Sequence, residues 1–73
     1  MTTAVRLNPF FDALVKRYNA QIAEARATIN VYLENPAGIG EHPQFIDEIN
    51  KQLDKWADAR DKIKIIMEYY NDN

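Results

Sequence analysis

The sequence predicts an all-α protein: a two-helix antiparallel hairpin, coiled-coil-like, that pairs into a four-helix bundle. Three observations point there. Both glycines fall in one short segment, Asn35 to His42, so the chain breakers gather where the chain has to turn. Asn8-Pro9 and His42-Pro43 each read as a helix start, with a capping side chain before a proline at the first helical position. On either side of the turn, apolar residues recur at alternating steps of four and three, the period of a helix that packs along one stripe.

Residues 1–7 carry no clear period and read as a flexible arm, in which Val5 and Leu7 can pack on a neighbour. The rest, 8–73, is one hairpin domain. Its first helix spans about 9–34. Asp12 suits the positive end of the helix dipole, and Asn35 before Pro36 is pushed out of the helical region. The stripe on this helix is Phe11, Val15, Tyr18, Ile22, Ala25, Ile29 and Tyr32, widened by Phe10, Leu14 and Leu33.

The turn covers about 35–42, where Gly38 and Gly40 permit positive φ and Ile39 can cap the core. The second helix then spans about 43–71. Its stripe reads Ile46, Ile49, Leu53, Trp56, Ile63, Met67 and Tyr70, interrupted by Arg60. Ala59, Ile63, Ile66 and Tyr70 offer a register displaced by one residue. The reading therefore places a shift of register between Trp56 and Ile63. Asp47–Lys51 and Asp58–Lys62 are spaced for ion pairs on the exposed side.

Two helices share one interface, so the aromatics Phe11, Tyr18, Tyr32, Trp56, Tyr69 and Tyr70 would keep one flank open to water. Association is the remedy, and a twofold pair of hairpins is the simplest closed form. The expected oligomer interface is Phe11, Val15, Tyr18, Ile22, Ile29 and Tyr32 from helix one, with Ile49, Leu53, Trp56, Ile63, Met67 and Tyr70 from helix two. Ala13, Ala20 and Ala27 repeat every seven residues on the other side of helix one. They are good helix formers, and also a seam another helix can approach closely. With Ile39 they form the expected surface for a further protein partner.

Composition excludes several function classes. Cysteine and serine are absent and there is one histidine, so the usual nucleophile–base pairs cannot be assembled within one chain. His42 reads as a cap rather than a base. Gly38-Ile39-Gly40 lacks the lysine and the strand-to-helix setting of a phosphate loop. Asp47, Asp54, Asp58 and Asp61 alternate with Lys51, Lys55 and Lys62, the pattern of a solvated face rather than a metal site. No cofactor or metal is expected.

A net charge of −2 and a pI near 5.2 argue against broad attraction to nucleic acid or anionic membrane. No stretch approaches the roughly 18 apolar residues of a bilayer span. A soluble, cytoplasmic protein is the expectation. The alternative is a regulatory nucleic-acid binder resembling the Rop-type homodimers in architecture, using Lys16, Asn19 and Arg26 from both copies.

The turn Asn35-Pro36-Ala37-Gly38-Ile39-Gly40-Glu41-His42-Pro43, followed by an acidic amphipathic helix, resembles a small protein family of tailed phages, including those of cyanobacteria. The likeness covers roughly residues 14 to 70 and is densest in the turn. That family has no assigned activity. The resemblance implies a helical hairpin of phage origin, located in the cytoplasm of the host cell, with no site residues to carry over. Together these readings lead to a non-enzymatic interaction or structural module that acts as a homo-oligomer on a virion or host protein.

Overall fold

A computed structural model describes residues 8–34 and 43–71. They form two helices, α1 (Pro9–Glu34) and α2 (Pro43–Asn71), packed against one another as an all-α hairpin. The expected arm at 1–7 and the turn at 35–42, with Ile39, both glycines and His42, lie outside the described residues.

The start of α1 follows from its sequence. The Asn8 side-chain oxygen accepts the Phe10 N–H at 2.7 Å, and its carbonyl accepts the Asp12 N–H at 2.8 Å. Pro9 between them has no N–H to leave unsatisfied. Asp12 accepts a bond from Lys16 at 3.0 Å, a spacing that supports the first turns.

Ring contacts at the two ends define the antiparallel pairing. Beside the connection, Tyr32 meets Phe45 edge-on with ring centres 5.5 Å apart. At the open end, Phe11 meets Tyr69 and Tyr70 edge-on at 5.6 and 5.9 Å, and the two tyrosines meet each other at 5.5 Å. The Asn8 N–H also donates to the Tyr70 hydroxyl at 2.7 Å, joining the start of α1 to the end of α2. That N–H precedes the helix and has no intrahelical acceptor, so the phenol satisfies a group that would otherwise depend on water.

The stripe expected on α1 faces α2 throughout. Ala25 is buried, and Phe11, Val15, Tyr18, Ile22, Ile29 and Tyr32 are half-buried. Phe10 and Leu33, expected to widen it, are exposed. On α2 the structure corrects the sequence reading. The seam uses Phe45, Ile49, Gln52, Trp56, Ala59, Ile63, Ile66 and Tyr70, an unbroken alternation of four and three. No shift of register occurs between Trp56 and Ile63. Ile46 and Leu53 lie outside the seam, 69% and 49% exposed, and Arg60 is exposed as well. Gln52 holds a seam position, while the apolar Ile46 and Leu53, one step round the helix, carry the stronger hydrophobic signal.

The surface ion pairs differ too. Lys51 binds Glu48 at 3.2 Å rather than Asp47, and Lys62 lies 5.5 Å over the ring of Tyr18 rather than against Asp58.

The hairpin measures 50 × 23 × 17 Å with a radius of gyration of 16.2 Å. A compact chain of this length would have a radius near 11 Å. A rod of this shape has little interior. Among the described residues only Ala25, Ala59 and Ile66 are buried.

Replacing Tyr70 by Phe removes the acceptor of the Asn8 N–H while keeping the ring contacts. Unfolding followed by circular dichroism should show a loss of about 1 kcal/mol. Asn8→Ala should cost a similar amount through the cap.

Candidate interaction surface

Each helix contributes two adjacent rows to the seam, and the rows are not equally covered. The first row holds Phe11, Tyr18, Ala25 and Tyr32 on α1, with Phe45, Gln52, Ala59 and Ile66 on α2. All three buried residues belong to it. The second row holds Val15, Ile22 and Ile29, with Ile49, Trp56, Ile63 and Tyr70. Every member of the second row is only half-buried.

The flanking residues explain the difference. Beside the first row, Lys55 spans the two helices to reach Glu24 at 2.8 Å, and the Lys62 ammonium sits over Tyr18. The methylene stems of these lysines cover apolar surface while their charged ends stay wet. Leu14, Gln21, Thr28 and Glu48 are half-buried on that side. We call it the closed face.

Beside the second row, the heptad positions belong to Asp12, Asn19, Arg26 and Leu33 on α1 and to Ile46, Leu53, Arg60 and Met67 on α2. Here Arg26 places its guanidinium 5.6 Å over Trp56, which covers part of the indole. Leu33, Ile46 and Leu53 stay exposed. Leu53, Trp56, Ala57 and Arg60 line a shallow depression of roughly 240 Å³. This is the open face.

A larger depression, roughly 470 Å³, is lined by Gln44, Asp47, Glu48, Asn50 and Lys51. All five come from two turns of one helix, so nothing from α1 walls it. It is a helix exterior rather than a binding cleft.

Of the expected interface residues, Leu53 and Met67 lie outside the two seam rows, and Leu53 is exposed. Met67 is half-buried at the edge of the open face, and the others lie in the seam itself. Ala13, Ala20 and Ala27 are exposed on the side of α1 away from α2. Phe10, Ile65 and Tyr69 expose further apolar surface toward the open end, on the closed-face side.

The cations considered for nucleic acid have partners within the chain. Lys16 pairs with Asp12 and Arg26 stacks on Trp56. Among the described residues, no three His, Cys, Asp or Glu side chains converge as a metal site, and no helix is long and apolar enough to cross a membrane.

Sequence reasoning missed the role of Gln52. Its side-chain oxygen is buried in the seam and has no hydrogen-bond partner among the described residues. The signal was available in the spacing: Phe45, Gln52, Ala59 and Ile66 recur every seven residues.

Fold and surface together define an antiparallel helical hairpin whose seam is covered on one side and open on the other. No family model, curated protein or solved structure matches the chain.

Gln52→Leu replaces a buried oxygen that has no partner among the described residues with a fully apolar side chain one atom shorter. It should raise stability by about 1 kcal/mol or more in thermal or urea unfolding. Ala20→Lys, on the outer side of α1, should change stability by less than about 0.5 kcal/mol and leave the mass in solution unchanged. A lower mass for Ala20→Lys would show that the alanine side is an interface.

Proposed function

We propose that this chain is a non-enzymatic helical interaction module that works as a homo-oligomer, two hairpins closing into a four-helix bundle. The assembled bundle then engages a second protein, a virion component or a host protein. The phage origin and host-cytoplasm setting in this proposal rest on the resemblance of the turn from Asn35 to Pro43.

One observation carries the association: no large side chain among the described residues is fully buried, while Leu33, Ile46 and Leu53 are exposed beside a half-covered row. Burial of apolar surface gains about 25 cal/mol per Å², against an ordering cost of roughly 1.5 kcal/mol per residue. A rod with three buried residues among those described gains little of that term alone. A second hairpin over the open row supplies what is lacking. The partly committed cations Lys16 and Arg26 favour a protein surface over a phosphate backbone as the target.

Sedimentation equilibrium at micromolar concentration tests the proposal. The expected mass is a multiple of 8.5 kDa. A stable, fully helical monomer overturns it. Ile22→Asp should dissociate or unfold the assembly, because it puts an unpaired charge in the half-covered row. An Ile22→Asp variant with wild-type mass and melting would assign assembly to another face.

A further inference from the structure

The closed face is not covered evenly along its length. Midway along the rod, Lys55 crosses to Glu24 at 2.8 Å. Two heptads nearer the open end, the same pair of positions holds Tyr69 and Phe10. The lysine cover therefore stops at Lys62, and beyond it apolar side chains meet solvent: Phe10 is 81% exposed, Ile65 61% and Tyr69 56%. Half-buried Leu14 and buried Ile66 carry this patch down into the seam.

We propose that residues 1–7 fold back over this patch as a strap, with Leu7 against Tyr69 and Val5 against Ile65. Three observations select this occupant. The first is position. The Asn8 N–H bonds to the Tyr70 hydroxyl, so the chain enters the hairpin beside the patch, and Asn8-Pro9 is a turn-forming pair that suits a reversal. The second is reach. Val5 precedes Asn8 by three residues, roughly 10 Å of extended chain. Ile65 lies five residues from Tyr70, about 8 Å along α2.

The third is pattern. Val5 and Leu7 fall on one side of an extended segment, roughly 7 Å apart, with Arg6 on the other. Ile65 and Tyr69 present a matching interval of about 6 Å along α2. Arg6, turned outward, keeps its charge in water, so the strap buries apolar groups without burying a cation. Asp72 and Asn73, which follow α2 at the same end of the rod, are polar and offer no such cover. The strap belongs to a single hairpin and lies away from the open face, so it stands or falls separately from association.

The chain has no cysteine, so introduced pairs report without background. Met67 lies at the edge of the open face, two residues nearer the end of α2 than Ile65, so a loose arm would reach it at least as readily. Under mild oxidation, the full-length Val5→Cys/Ile65→Cys variant should close an intramolecular disulfide about tenfold faster than Val5→Cys/Met67→Cys. Equal rates would overturn the strap, as would the absence of closure in both. Linkage between chains in a mixture of the single variants Val5→Cys and Ile65→Cys, in preference to closure within one chain, would also overturn it and assign the patch to a second copy.

Since these substitutions remove apolar contacts, the unaltered chain supplies a second measurement. Nuclear Overhauser contacts should join the Val5 methyl groups to Ile65 and to the Tyr69 ring. Their absence from a folded, helical sample would overturn the proposal.

Discussion

Two helices can share only one seam, and every tertiary contact among the described residues of this chain belongs to it. A third helix would let each element bury two sides. Here each has a covered side, a half-covered side and a back exposed to solvent. The elongated shape, the scarcity of buried residues and the open apolar row all follow from that geometry.

Different interactions dominate at different levels of the seam. At the ends, aromatic side chains bridge the gap. Tyr32 with Phe45, and Phe11 with Tyr69 and Tyr70, give edge-on pairs each worth about 0.5–1.5 kcal/mol beyond the area they cover. In the middle the most buried residues are alanines, Ala25 and Ala59, where little side-chain bulk separates the backbones. The ion pairs Lys16–Asp12 and Lys51–Glu48 are exposed and local, so they add little. Lys55–Glu24 differs in crossing between the helices, and its value lies more in the apolar surface its stem covers than in its charge.

The helices, their starts and the α1 stripe were legible in the sequence because strong local signals agree there. Asn8-Pro9 opens α1, and the positions from Phe11 to Tyr32 alternate without exception. The α2 register was harder to read. The seam position seven residues after Phe45 is Gln52, while the apolar Ile46 and Leu53 sit one step away, so hydrophobicity favoured the wrong row. Arg60 then seemed to break a stripe it does not belong to. Periodicity alone would have recovered the correct row. Only contact geometry shows why the two faces differ, since Lys55 and Lys62 act as apolar cover and sequence patterning counts them as charge. The open face is therefore a property of the folded hairpin, and Leu53 is the one expected interface residue that stands wholly on it.

The bond between the Asn8 N–H and the Tyr70 hydroxyl has a geometric consequence for the chain as a unit. It brings the point where the polypeptide enters the hairpin next to the point where it leaves. Such a unit can interrupt a surface loop of another protein without forcing the two sides of that loop apart. Inserted this way it would project as a finger with its open face, Leu33, Ile46 and Leu53 included, along one edge.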